Sequence, residues 1–225
     1  RRRPCRRACV TAAAQSTGKS TAELAADQAA HWNGPGGQSW LKAQARLDHL
    51  MAGITRDALA LANAQPGETA IDVGCGPGTT TAALAAAVGP EGHVLGVDIA
   101  QVLIDAAATR RLSNATFLVA DAGAHPFEAG SADLIFSRFG VMFFAEPVAA
   151  FANLRRALKP SGRLAFVCWR GPQDNPWALA PVRAAGPFLA LPPRPGPEEP
   201  GQFAFGDRAQ VERILNGAGF ADVAI

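Results

Sequence analysis

From residue 69 to residue 170 the chain alternates short β-rich runs with alanine-rich stretches, and this alternation constrains the fold more than any other feature. Runs of β-branched and apolar residues predict strands at 69–73, 93–97, 115–119, 133–137 and 163–169. Helices are predicted near 78–88, 100–112 and 146–158 between them. Strands separated by helices cannot close as tight hairpins, so they pair in parallel through right-handed crossovers and helices cover both faces. The fold class is therefore α/β, a doubly wound, mostly parallel sheet. With 225 residues, 48% of them apolar, the chain can bury such a sheet without disulfide staples.

The flanks read differently. Between residues 21 and 64 apolar residues recur at helical spacing (Leu41, Ala45, Leu47, Leu50, Ile54, Leu59), which predicts an N-terminal cap of two or three helices interrupted at Gly34-Pro35-Gly36-Gly37. The α/β core follows over 65–170. Residues 171–206 hold nine of the 17 prolines and read as a partly helical insertion on the substrate side. Over 207–225, Asp207 is placed to cap a last helix that closes near Gly217 or Gly219, and 221–225 read as the start of a terminal strand.

Residues 1–20 read as a disordered basic leader, with Arg1, Arg2, Arg3, Arg6 and Arg7 and no acidic residue, a composition that organelle transit peptides share. Without those five arginines the net charge falls from +2 to −3, so the body offers no electrostatic surface for nucleic acid. No apolar run approaches the roughly 18 residues of a membrane helix. Cys5, Cys9, Cys75 and Cys168 have neither disulfide-framework nor metal spacing. A cytoplasmic protein without a metal is expected. Ser16 to Thr21 imitates the end of a phosphate loop, but Ala13 stands where that loop needs its first glycine.

The chemistry concentrates at the ends of the strands, where open parallel sheets bind their ligands. Ala70-Ile71-Asp72-Val73 runs into Gly74-Cys75-Gly76-Pro77-Gly78-Thr79, a turn whose glycines admit a ligand close to the backbone. The spacing is GxGxG, with Thr79 where a dinucleotide site wants Gly or Ala. Asp72 beside the turn suits a cationic ligand group and repels a pyrophosphate. The second strand ends at Asp98-Ile99, 22 residues after Gly76, and a carboxylate there can accept from two vicinal ribose hydroxyls or cap the next helix; the two roles are compatible. The third ends at Asp121-Ala122, where Asp121 can accept from an exocyclic amine, and the fourth at Ser137-Arg138-Phe139.

In these segments the chain resembles class I S-adenosylmethionine-dependent methyltransferases. The matching pieces are DVGCGPGTT at 72–80, GVDIA at 96–100, VADA at 119–122, DLIFSRFGVMFF at 133–144 and LRRALKPSGRLAFVCWR at 154–170. It is similar in particular to the small-molecule methyltransferases of ubiquinone and menaquinone biosynthesis, over about residues 31–225. The resemblance implies a Rossmann-like fold, S-adenosylmethionine as cofactor and methyl transfer to a small, apolar or aromatic acceptor. It places Asp72 and Gly74 to Gly78 at the methionine part, with Cys75 packed beneath and Thr79 following. Asp98 and Ile99 would meet the ribose, Asp121 and Ala122 the adenine, and Ser137 to Phe139 the sulfonium. It further implies a sixth strand and a C-terminal hairpin, of which only the start at 221–225 falls within the chain.

His31 and His125 are the candidate general bases, weak ones because isolated histidines are more often structural. Trp32, Trp40, Trp169, Trp177, Phe143, Phe144 and Phe203 either wall an aromatic acceptor pocket or fasten a lid to the body. Two rival functions share the fold. A nicotinamide-dependent oxidoreductase would use GxGxxG and a Tyr/Lys pair, and the chain has no tyrosine. A non-catalytic S-adenosylmethionine-binding relative would keep Asp72 and Asp98 and lose the substrate pocket. The acceptor atom and the oligomeric state are not written in the sequence.

Overall fold

The computed structural model describes residues 18–190, 196 and 199–225. Three helices come first, α1 (Thr21–Asn33), α2 (Pro35–Leu50) and α3 (Ala52–Ala62). Helix α1 opens on a capping box: the Ser20 hydroxyl accepts from Glu23 N–H while the Glu23 carboxylate reaches back to Ser20. The break expected across Gly34–Gly37 is confined to Gly34, because Pro35 suits the first turn of α2 and fixes its entry. Gly37 lies inside α2 and is buried; a Cβ there would fall 2.1 Å from the Trp32 carbonyl oxygen, so glycine lets α2 fold back tightly on α1. The expected leader lies mostly outside the described residues.

The core alternates as the sequence predicts. Strands β1 (Thr69–Val73), β2 (His93–Asp98), β3 (Ala115–Val119), β4 (Ala132–Arg138) and β5 (Leu158–Val167) are joined by helices α4 (Thr79–Val88), α5 (Gln101–Ala108) and α6 (Pro147–Ala157). All pairings are parallel and the order is β3-β2-β1-β4-β5. Helices α7 (Pro176–Ala185) and α8 (Arg208–Gly217) complete the chain, the latter capped by Asp207, which accepts from Ala209 N–H.

Alternation along β1 sorts the core into two layers. Ala70 joins Leu84, Val88, Val94, Leu134 and Phe136 under α4, whereas Ile71 and Val73 join Ile135, Phe151, Leu154 and Ile214 under α6 and α8. Phe151 is fully buried at the centre of the second layer, against Phe144, Phe166, Phe205 and Phe220. Its truncation to alanine removes about 3–5 kcal/mol of stability on the scale of such cores.

Three boundaries differ from expectation. Helix α5 stops at Ala108, not 112, because Arg111 adopts the left-handed region (φ 49°) and the Thr109 hydroxyl turns to the Ala106 carbonyl. Strand β5 begins at Leu158, which pairs with Ala132 before a register shift, and ends at Val167 because Trp169 N–H goes to Met142 Sδ. Residues 221–225 form no strand: Asp222 is left-handed (φ 55°), which breaks extension, and Val223 packs against the core. Among the described residues no helix is long and apolar enough to cross a membrane.

Candidate functional site

The carboxyl ends of β1 to β4 meet beneath α1 and α2 around a cavity of about 410 Å³. Its floor is the turn after β1, fastened to β2 by N–H bonds from Gly74 and Cys75 to the Val97 carbonyl (2.8 and 3.1 Å). All three glycines of the turn are left-handed, but each is needed for its own reason. A Cβ on Gly74 would fall 2.7 Å from Gly140 Cα, so two backbones pass in contact there. One on Gly78 would press on Ala107 and Arg110 at 3.1 Å, where α5 packs against the turn. One on Gly76 would meet only the Trp40 indole nitrogen at 3.8 Å, and would take up space in the cavity.

Two carboxylates sit at this floor in contrasting settings. Asp98 lines the cavity and is braced by backbone donors, Oδ2 from Gly76 N–H and Oδ1 from Ala100 N–H, each 2.9 Å. Burial raises its pKa, and those N–H groups oppose the rise. Asp72 is fully buried behind the floor. Its Oδ2 accepts from the hydroxyls of Thr80 and Thr81 (both 2.7 Å), while Oδ1 has no partner. Burial pushes its pKa up to about 6 against the pull of both hydroxyls. Burial, reinforced by both carboxylates, also pushes the Cys75 thiol up, so Cys75 is a packed thiol and not a nucleophile.

The end of β4 supplies the third component. Ser137 is buried and its hydroxyl bridges strands, donating to the Val73 carbonyl (2.8 Å) and accepting from the N–H groups of Gly140 (3.1 Å) and Val141 (3.3 Å). Arg138 reaches Thr55 and Asp48 in the cap, and Asp48 in turn accepts from the Thr79 hydroxyl (2.8 Å). Phe139 is left-handed (φ 66°), a strained setting for a bulky residue, and its ring stacks on Trp169 at 4.7 Å with the planes 3° apart. Trp177 stands edge-on to Trp169 (5.2 Å), and Trp32 is edge-on to both Trp40 and Phe143.

Of the residues singled out in the sequence, Gly74, Cys75, Gly76, Asp98, Ile99, Asp121, Ala122 and His31 line the cavity together. Asp72, Gly78, Thr79 and Ser137 stand behind its wall, where buried hydroxyl bonds and helix packing occupy them. His125 is outside the lining, its ring against Phe127 at 4.7 Å. The tryptophans and Phe143 and Phe144 do line the cavity, whereas Phe203 does not. Two groups escaped the sequence. Asn33 ties α1 to the β2–α5 turn, donating to the Ile99 carbonyl (2.9 Å) and accepting from Gln101 N–H (3.0 Å). For Arg138 the resemblance implies a place beside the sulfonium, but the sequence does not show its ties to Thr55 and Asp48. Neither carries a local motif, because each is defined by a partner 66 to 90 residues away. Among the described residues no cluster of His, Cys, Asp or Glu could hold a metal ion.

Residues 70–162, which contain the turn and all four strand ends, match a family described as methyltransferase domain. Over these residues the chain carries a methyltransferase domain. It is 32% identical over 185 residues to nocamycin O-methyltransferase of Saccharothrix syringae, an alignment that covers 76% of this chain and 65% of the relative. Over 98 residues it is 36% identical to demethylmenaquinone methyltransferase of Staphylococcus aureus (43% of this chain, 41% of the relative). The chain thus spans less than two thirds of the length of either relative. A methyltransferase structure from Aquifex aeolicus shares the fold, with a TM-score of 0.54 and 24% identity over 73% of this chain and 78% of that one. The family resemblance drawn from the five sequence segments holds. The methyltransferase domain also fits the cofactor on two observations: the Gly76 cradle that a Cβ would fill, and the buried Asp72 oxygen behind the turn that has no hydrogen-bond partner.

Proposed function

We propose that this protein transfers a methyl group from S-adenosylmethionine to a small, planar, apolar acceptor. The observation that carries the proposal is one cavity with two unlike walls, the Gly76–Asp98 floor and the Phe139–Trp169 stack. On this reading Asp98 takes the ribose diol: each of its oxygens is fixed by one backbone N–H and keeps lone-pair capacity for a hydroxyl. Asp121, whose Oδ1 is held by Gly123 N–H, and Ala122 meet the adenine, with Ile99 between. Asp72, buried behind the turn, favours the α-ammonium through its negative charge and not through a direct bond.

When bound, the cofactor supplies an electrophilic methyl on a sulfonium. Positive charge disperses as that methyl moves, so the protein's task is alignment and exclusion of water. The stacked and edge-on rings of Phe139, Trp169, Trp177, Trp32 and Phe143 suit a flat apolar molecule. Between the two candidate bases, His31 lines the cavity and on this reading takes a proton from an acceptor hydroxyl; His125 is outside the lining. The partners on this reading are donor and acceptor alone, in the cytoplasm. The two relatives are named for nocamycin and demethylmenaquinone, which agrees with a small-molecule acceptor.

Titration calorimetry with S-adenosylmethionine, S-adenosylhomocysteine and NADH, followed by incubation with methyl-labelled donor and a panel of planar phenols and hydroquinones, tests the proposal. Binding of the first two ligands and label in an acceptor are expected. Binding without label transfer to any acceptor would favour a non-catalytic binding protein, and binding of NADH alone would overturn the reading.

A further inference from the structure

Arg138 is a buried cation with an incomplete set of partners. Its side chain is 8% exposed, yet it lines the cavity. A guanidinium offers five N–H donors. Here one nitrogen donates to Thr55 Oγ1 (2.8 Å) and another to Asp48 Oδ1 (3.3 Å), and no further acceptor stands against it among the described residues. Asp48 is itself shared, because its other oxygen takes the Thr79 hydroxyl. Leaving guanidinium donors unanswered in a desolvated place is costly, so the geometry calls for an anion with paired oxygens.

The position says whose anion. In the β1–β4 register Asp72 pairs with Phe136, so Arg138, two residues on, lies on the same face of the sheet as Asp72. By strand geometry their Cα atoms are about 8 Å apart. Phe139 comes next, falls on the opposite face and stacks on Trp169. The cavity is therefore lined both by a polar arm, of Arg138 and the glycine turn, and by an aromatic arm that includes the Phe139–Trp169 stack. The polar side offers the Arg138 cation with the buried Asp72 charge behind it on the same face of the sheet, an arrangement complementary to the two charges of an α-amino acid. An acceptor with a lone carboxylate would answer Arg138 and leave Asp72 unpaired.

We infer that Arg138 receives the α-carboxylate of S-adenosylmethionine and positions the methionine end of the donor. The assignment rests on the cofactor reading above and adds a residue to it. Asp48, held by Thr79, and Thr55 set the plane of the guanidinium, which makes the cap helices α2 and α3 part of the donor site.

The test compares S-adenosylmethionine with its decarboxylated analogue, which lacks that carboxylate, by calorimetry without acceptor. Wild-type protein should prefer the intact molecule by about 10- to 100-fold. Arg138→Ala should erase the preference by weakening the intact molecule, with the analogue changed by less than about threefold. Arg138→Lys keeps a charge for Asp48 and should retain part of the preference, so it carries the same comparison if the alanine variant does not fold. A wild-type protein that binds both ligands equally overturns the assignment, as does an Arg138→Ala that weakens both alike, the mark of a mere brace. An unchanged donor affinity with a raised acceptor KM overturns it too and gives the guanidinium to the acceptor. Wild-type protein that binds neither ligand overturns the cofactor reading itself and the assignment with it.

Discussion

The floor of the cavity and its roof are built on opposite principles. The floor is local: Gly74 to Gly78 lie within five residues, and their main bonds go to the adjacent strand end at Val97 and Asp98. The roof is assembled from distant segments, with Asn33 on Ile99, Asp48 on Thr79 and Arg138, and Trp32 on Phe143. Backbone geometry fixes the floor, whereas side-chain partners that can each be removed singly fix the roof. Changes in the floor should therefore act on folding or on donor binding as a whole, and changes in the roof should grade specificity.

The largest effects should separate two glycines only two residues apart. Gly74→Ala places a methyl group 2.7 Å from the Gly140 backbone at a left-handed φ, and should lower unfolding free energy by about 2–5 kcal/mol in urea titrations. Gly76→Val meets no backbone but fills the cradle, so it should abolish donor binding in calorimetry while unfolding less easily than Gly74→Ala. A Gly76→Val protein that binds at wild-type strength would reduce the turn to scaffolding.

Next in size is the pH response of Asp72. Its pKa in the folded protein, about 6, stands above its ordinary 3.8, so the folded state holds the proton more tightly than the unfolded chain. The stability this gives is complete below about pH 4 and is lost as the pH climbs through about 6, a change of about 3 kcal/mol. Ligand-free wild type should lose that much relative to Asp72→Asn between about pH 4 and pH 7. A difference that grows in the opposite direction would show the buried carboxylate to be stabilised when charged. Asp98 titrates in both proteins, so the comparison isolates Asp72.

Asp98→Ala should weaken S-adenosylmethionine by about 1.5–3 kcal/mol, the range for charge-assisted bonds to two hydroxyls. The structure adds a loss of about 1 kcal/mol of stability, because the N–H groups of Gly76 and Ala100 lose their acceptor together. Unchanged affinity in calorimetry would detach the second strand end from the ribose.

The same contrast explains what the sequence could tell. The strands, the glycine turn and Asp98 are legible because alternation, φ > 0 and a strand-end acid are local requirements. Two kinds of setting are not legible. At Ser137, Thr79 and Asp72 the sequence marks the residue but not its surroundings, for their hydroxyls and carboxylate turn to Val73, Asp48 and the α4 threonines behind the cavity wall. At Asn33, Asp48 and Arg138 no spacing marks the residue, since its partner is set only by how α1 and α2 fold over the sheet. The extended reading of 221–225 failed locally, at Asp222, where an ordinary residue takes a left-handed turn.

The smallest expected effect is at the outer edge of the roof. Trp177 is 55% exposed and tied down by one bond from its indole N–H to the Asn175 amide oxygen (3.2 Å) and by its edge-on contact with Trp169. A side chain so open contributes little to folding, and Trp177→Ala should shift the urea midpoint by the equivalent of less than about 1 kcal/mol. Its ring nevertheless completes the aromatic arm, and an aromatic contact is worth about 0.5–1.5 kcal/mol. The acceptor KM should therefore rise about 2- to 10-fold, with donor affinity unchanged. Trp169→Ala, which also strips the stacked partner from the strained Phe139, should raise KM further and lower stability as well. If Trp177→Ala weakened the donor and left the acceptor alone, the two arms of the cavity would not be separate, and the division between a local floor and a long-range roof would lose its functional meaning.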